Sequence, residues 1–582
     1  MDRRLFLKSL GVTAAGAAIS EASDSFATTH VASGIPSEHL RQPSRSRETI
    51  ASSDLSPWNP STTQPWDVHT INHLYRRAGF GATLGEIYAI TRGIVVQTPS
   101  QVVDNLLRDS LLLQPTVPPI PGNADDGKTP SLPPAWLRVP PYVYNDPIKI
   151  QTDYANANMK IRSHWTVQMN QPEVMLREKL VLFWMNHFVV EAKKVYYPQS
   201  MYSLLTYFRQ NAWGNFKKMV SDVTISPAML IYLDGVLNAG SAPNENYARE
   251  LQELFTMGVV DKNGNPNYTQ DDVEGIAHAL TGWTVDAQAP PPDVLPSKYE
   301  VTRHDSSFQK IYDGVKRQYN LTASGASMDM DLIDHIFDQR GDQIAWYICS
   351  KLYQYFVYHD VSGDSEKAVI GAMADLFKSS NWELKPVLSA LLKSAHFFDE
   401  ANIGAEIKSP YDHLIGLLRT FEIPINELSA GSLYFYAVGG SQILLDPPNV
   451  KGWPGYHSWI STTTLPYRGI IETLLVFSNK SLPAVGTDGY GNAHLPINLP
   501  QEADLVKWGK QFDNYSGTFD DMLSELGTYL CAHTPSATAL KYIKGQFPPQ
   551  TYEWNLLDDS TKVKALLGMA TALMLLADYQ LC

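Results

Sequence analysis

The residues best placed to do chemistry lie in two neighbouring segments. One is P-N-E-N-Y-A-R-E-L-Q-E-L-F-T-M-G at 243–258, the other Y-T-Q-D-D-V-E-G-I-A-H-A-L-T-G-W at 268–283. In the first, Glu250 falls at the border of an apolar stripe, one helical turn from Asn246 and Glu253. A carboxylate at such a border is partly desolvated and its pKa moves, which suits a general acid/base or a metal ligand. The structural alternative is a salt-bridge network, because Glu245, Arg249 and Glu253 are spaced for a charge ladder. In the second segment Glu274 and His278 are four apart, so Glu274 could orient His278 as a base, or the two are simply a surface pair, as such spacings more often are. His187 lies on an apolar stripe with Leu176, Leu180 and Phe183, either as a buried hydrogen-bonded histidine or as a catalytic or ligand histidine. His304 and Asp305 are adjacent in a loop before Lys310, either as a functional pair, since loops carry sites more often than helix faces do, or as a turn closed by an Asx-type bond.

Three chemistries fit these residue types. A glycosidase needs two carboxyls at a defined separation, and Glu250 with Asp305 is the pair to nominate, assisted by His187 and Arg249. A metal-dependent enzyme would take His187, Glu250 and His304 as ligands. Calcium would take Asp261, Asn263, Asn265, Asn267 and Asp272, which fall at positions 1, 3, 5, 7 and 12 of a loop between two helices. Pro266 stands where that template needs glycine, and Asn263-Gly264 is equally a hairpin signal. Another pair, His69 and His73, could hold a metal only with a third ligand. For substrate contact, Asn246 and the rings Trp453, Tyr456 and Trp459 are the candidates. The rings sit in D-P-P-N-V-K-G-W-P-G-Y-H-S-W, where they could line a sugar cleft or plug the end of a helical core.

The elements that must position these groups read as helices. The spacing predicts one over 246–257, capped by Asn244 and stopped by Gly258, and another from Thr269, whose capping box closes on Asp272. Strong helical periodicity recurs at 173–190 and through most of 331–420. Pro-rich stretches at 114–141 and 286–300 break it, and strand signals are few. The fold class is therefore mainly α, a large multi-helix globular fold with long loops. No Gly-rich phosphate loop, nucleophile elbow or dinucleotide fingerprint appears. The domain organisation reads as a signal at 1–27, a disordered leader at 28–65, a main helical domain at 66–480 and a loop-rich helical extension at 481–582.

The N-terminus M-D-R-R-L-F-L-K, with Arg3 and Arg4 before a short Gly/Ala-rich apolar run, resembles a twin-arginine export signal. That run is too short for a stable transmembrane anchor, so the expected location is periplasmic or extracellular. The 582 residues carry a net charge of −14, which leaves no electrostatic footprint for nucleic acid. Three cysteines, Cys349, Cys531 and Cys582, form neither a zinc pattern nor a disulfide framework.

An ordered series of segments resembles one bacterial family. It runs H-L-Y-R-R-A-G-F-G-A-T, R-E-K-L-V-L-F-W-M-N-H-F, P-A-M-L-I-Y-L-D-G, N-E-N-Y-A-R-E-L-Q-E-L-F-T-M-G-V, A-L-T-G-W, R-H-D, K-S-P and D-P-P-N-V-K-G-W-P-G. These are similar to the family known as domain of unknown function 1800, over roughly 65–480. The resemblance implies a fold and an exported location, not a reaction. The expectation is an exported enzyme acting on an extracellular or envelope polymer such as a glycan. The alternatives are a metal-dependent enzyme and a non-enzymatic envelope component.

Overall fold

A computed structural model describes residues 54–108, 147–286, 296–319, 331–477 and 505–582. The export signal, most of the leader, the Pro-rich stretch at 114–141, part of the second one and residues 481–504 lie outside the described residues. What is described is mainly α-helical. In chain order the helices used below are α1 (Val68–Arg77), α2 (Leu84–Arg92), α3 (Pro99–Leu106), α4 (Pro147–Met169), α5 (Met175–His187), α6 (Pro198–Gln210), α7 (Phe216–Thr224), α8 (Pro227–Tyr232), α9 (Glu245–Glu250) and α10 (Gln270–Ala279). They continue with α11 (Asp331–Phe356), α12 (Asp364–Ser379), α13 (Leu384–Lys393), α14 (Pro410–Thr420), α15 (Glu427–Gly439), α16 (Thr464–Phe477), α17 (Phe519–Leu530), α18 (Ala537–Lys544) and α19 (Asp559–Met574). Two small antiparallel sheets follow α10: β1 (Trp283–Val285) pairs with β2 (Ser297–Tyr299), and β3 (Gln309–Lys310) with β4 (Lys316–Arg317).

Helix α5 is the axis of the core. Its sequence is apolar almost all round, as a helix enclosed on every side must be, and Leu180, Val181 and Trp184 are fully buried. Its few charges are paired rather than exposed. Glu178 takes a two-pronged hydrogen bond from Arg209 of α6 at 2.5 and 2.9 Å, and Lys179 meets Asp412 of α14. Burial of an ion costs several kcal/mol unless a partner sits on it, so these pairs fix how α5 faces its neighbours. At its C-terminus His187 enters a cage of Phe183, Phe188, Phe216 and Phe255.

Helix α9 does not run to 257 as the periodicity predicts. It keeps α geometry only to Glu250 and widens into a π-helical turn over Leu251–Thr256, closed by the Met257 amide on the Gln252 carbonyl. Neighbouring side chains satisfy the carbonyls released there. His187 Nε2 donates to Phe255 O at 2.9 Å and Tyr347 donates to Leu254 O at 3.1 Å. Helix α10 packs beside this element, and its N-terminus carries the predicted box between Thr269 and Asp272.

The C-terminal helices belong to the same core. Helix α17 packs on α1 and α19, and Arg76 of α1 donates to the carbonyls of Tyr529, Leu530 and Cys531. Residues 580–582 pair by backbone with Glu406 and Lys408. The three cysteines are buried and unbridged. Among the described residues no helix is long and apolar enough to cross a membrane.

Candidate functional site

Two groups of ionisable side chains stand out, one at each end of α10. The first is built on the junction where α9 becomes π-helical. Glu250 is half-buried; burial, then the neighbouring Glu253, raise its carboxyl above the usual range, against the pull of Lys451 and Arg249. Glu253 faces the Lys451 ammonium at 3.6 Å and accepts from Tyr268 at 3.3 Å. One ammonium therefore serves two carboxyls. The Glu250 charge also reaches Tyr232, whose hydroxyl is pushed up to about 12 by burial, then by Glu191 and Glu250.

Lys451 is delivered by the loop at 446–460, the stretch D-P-P-N-V-K-G-W-P-G of the sequence. Asp446 anchors it against Arg162 of α4 and accepts from the Lys193 amide. Asn186, last but one in α5, takes the Trp453 amide at 2.7 Å and donates to the Trp453 carbonyl. Gly452 has φ of +79°, and a Cβ there would collide with the side chain of Asn186 and lie 2.7 Å from its carbonyl. Only glycine lets this loop seat on the end of α5. Trp453 and Trp459 are each 7% exposed and plug the core beneath the loop. Neither offers a face to a sugar as placed. Tyr456 stacks on His359 at 4.9 Å and lies against His457 on another side, so its ring is occupied as well.

The second group surrounds the turn after α10. His278 Nδ1 meets Asp305 Oδ2 at 2.5 Å. The predicted partner Glu274 instead lies beside Gln270, so the carboxylate that orients His278 comes from a loop 27 residues on. Thr281 clamps the pair: its hydroxyl donates to the His278 carbonyl and accepts the Asp305 amide, each at 2.7 Å. The Asp305 carboxyl sits below its usual range. Partial burial works the other way, and hydrogen bonds from Ser307 and His278 outweigh it. His304 points away, with Nδ1 on the Thr281 carbonyl at 3.0 Å and Nε2 buried.

Several expectations are corrected by this geometry. Glu250 and Asp305 do not form a carboxylate pair. Glu250 is grouped with Glu253 and Lys451, Asp305 with His278, Thr281 and Ser307, and the two groups share no side chain. His187 is not beside either. Its Nε2 is committed to Phe255, and burial, with Lys351, lowers it to about 3, so it stays neutral inside the core. His187, Glu250 and His304 accordingly do not gather around a metal, and among the described residues no three His, Cys, Asp or Glu side chains do. Arg249 forms only the Glu245 rung of its ladder, at 2.9 Å, and the same nitrogen, Nη2, also donates to Gln270. Asn246 donates to the Leu233 carbonyl and so braces α8. His73 likewise donates to the Phe397 carbonyl within the core.

The calcium template fails for a specific reason. Asp261 accepts from the Asn263 and Asn265 amides and from the Asn265 side chain, closing a hairpin at Gly264. Asn267 turns inward to the Met257 and Gly258 carbonyls, while Asp272 caps α10 and accepts the Tyr312 amide. The side chains of Asp261 and Asn265, of Asn267 and of Asp272 serve three separate structures, and Asn263 joins the first through its backbone amide.

Sequence reasoning did not single out Lys451, which carried no more signal than its place beside Gly452 and Trp453. It named His278 but paired it wrongly, because a loop partner 27 residues away leaves no periodic trace.

Comparison with known proteins gives one family. A family model described as "Protein of unknown function (DUF1800)" matches residues 73–581, through the last helix. No curated protein and no solved structure matches the chain.

Proposed function

The chain belongs to the DUF1800 family of proteins of unknown function, and from that premise we propose that it is an exported hydrolase acting on an extracellular or envelope polymer, a glycan, with Glu250 and Glu253 as its acid/base pair. The observation that carries the reading is the Glu250 environment. A carboxyl raised by burial and by a second carboxyl, with one lysine facing both, is the arrangement that divides acid and base roles between two like groups. The π-helical turn that begins immediately after Glu250 adds support, because such widened turns are frequent at functional sites. The export part rests on Arg3 and Arg4 with the apolar run behind them.

In this reading Glu250, protonated, gives its proton to the glycosidic oxygen. Glu253 attacks the anomeric carbon or takes a proton from water, and Lys451 limits the repulsion between the two carboxyls. The test is release of reducing ends from a panel of bacterial and plant polysaccharides by the exported protein. Glu250→Gln should cut the rate at least a hundredfold while the melting temperature holds. Full activity in a folded Glu250→Gln protein would refute the assignment.

A further inference from the structure

We propose that His278 and Asp305 form a second proton-transfer centre, in which His278 Nε2 is a general base for the hydrolysis of neutral carboxylic esters and Asp305 is its positioning residue. This centre is separate from the Glu250 pair, so either assignment can fail without the other.

Three observations carry it. First, the pair has the geometry of an oriented base. Asp305 holds Nδ1 at 2.5 Å, which places the proton on Nδ1 and leaves the lone pair on Nε2. Asp305 is itself fixed, by the Ser307 amide at 2.9 Å on its other oxygen and by its own amide on Thr281. Second, Nε2 is open. The His278 side chain is 36% exposed, and among the described residues Nε2 has no hydrogen-bond partner. Two other histidine–carboxylate pairs show the contrast. His413 with Glu472 is sealed in the core at 3% exposure. His533 with Asp578 is 18% exposed and its Cε1 edge is pressed against Gly404, where a Cβ would lie 2.5 Å away. Third, the backbone makes room for the dyad at two glycines. A Cβ on Gly240 would stand 3.1 Å from the Asp305 amide nitrogen, and one on Gly282, whose φ is +99°, would crowd Glu300 and His304. A side chain at either position would press on the loop that carries Asp305.

The chemistry selects the substrate class. A lone imidazole base does nothing for an acetal, whose cleavage needs an acid on the leaving oxygen. It does activate water toward an electrophilic acyl carbon. Asp305 and the nearby Glu274 make the surroundings negative, which disfavours phosphate esters and favours a neutral acyl group. In the step, Nε2 takes a proton from water as its oxygen bonds to the carbonyl carbon. The tetrahedral intermediate then collapses, the carbon–alkoxy bond breaks, and Nε2–H returns the proton to the departing alkoxide. The products are one acid and one alcohol, with no other reactant.

The experiment uses the full chain and 4-nitrophenyl acetate. The wild-type protein should hydrolyse it above the buffer rate. His278→Gln should lower the rate at least tenfold with an unchanged thermal melt, while His533→Gln should leave it as it was. Asp305→Asn should lower the rate at least threefold and Asp305→Glu should restore most of it, each with an unchanged thermal melt, as a carboxylate that orients the imidazole requires. The proposal is overturned if the wild-type rate equals buffer, if His278→Gln stays within twofold of wild type, or if a folded Asp305→Asn protein keeps the full rate.

Discussion

At the scale of single residues, burial without a counter-charge decides behaviour. Glu250 binds its proton more tightly in the folded chain than in the unfolded one. A raised carboxyl of this kind stabilises the fold at low pH, and that contribution is lost as pH rises through the folded pKa. Glu250→Gln cannot ionise, so at pH 7 its melting temperature should equal or exceed that of the wild type even as polymer cleavage disappears. A clear drop in melting temperature would assign Glu250 to a structural network instead. The two core histidines work in the opposite sense. His73 and His187 are lowered to about 3 by burial, next by Arg77 and Lys351 respectively. Unfolding lets each take a proton near its ordinary pKa, so stability is complete above about pH 6.5 and falls progressively as pH drops toward 3. Thermal melts from pH 7 to pH 4 should show a steep fall in melting temperature, and a flat profile would contradict the buried neutral state of both rings.

Individual elements show how the site is held. The loop at 446–460 delivers Lys451 through one tight contact, Gly452 against Asn186. Gly452→Ala imposes a left-handed backbone on alanine and drives its Cβ into Asn186, which should cost about 2–3 kcal/mol. Urea unfolding would measure that loss, and faster tryptic cleavage after Lys451 would show that it is local. An unchanged midpoint and cleavage rate would mean that the loop seats by other contacts. The turn from α9 to π-helix has the same logic at another place. It is legible in no propensity, since Leu251–Thr256 reads as ordinary helix, and it exists because His187 and Tyr347 arrive from other helices to take the released carbonyls.

Across the whole molecule, the C-terminal helices and the N-terminal ones share a core. Arg76 donates to three carbonyls at the end of α17, and Asn72 donates to one of them, that of Tyr529, as well. Arg76→Met would take the donor from the Leu530 and Cys531 carbonyls and should destabilise the protein by about 3 kcal/mol. Calorimetry should show one transition that moves as a unit; a separate early transition for the C-terminal helices would show that they fold independently. The family match through residue 581 agrees with a single packed assembly that includes them.

The sequence by itself determined the helical class, the caps at Asn244 and Thr269, and the importance of the 243–283 segment. These follow from spacing and from side chains that bond within three residues of themselves, so they are local and survive without a fold. It also identified Glu250 as a carboxyl at the edge of burial, because helical periodicity shows which face turns inward. Only the tertiary structure decided who meets whom. Asp305 rather than Glu274 orients His278, Lys451 rather than Asp305 faces Glu250, and His187 serves a backbone carbonyl. Each of these partners lies 27 to 201 residues away in sequence, where no periodicity connects them and only the packing of α5, α9, α10 and the 446–460 loop brings them together.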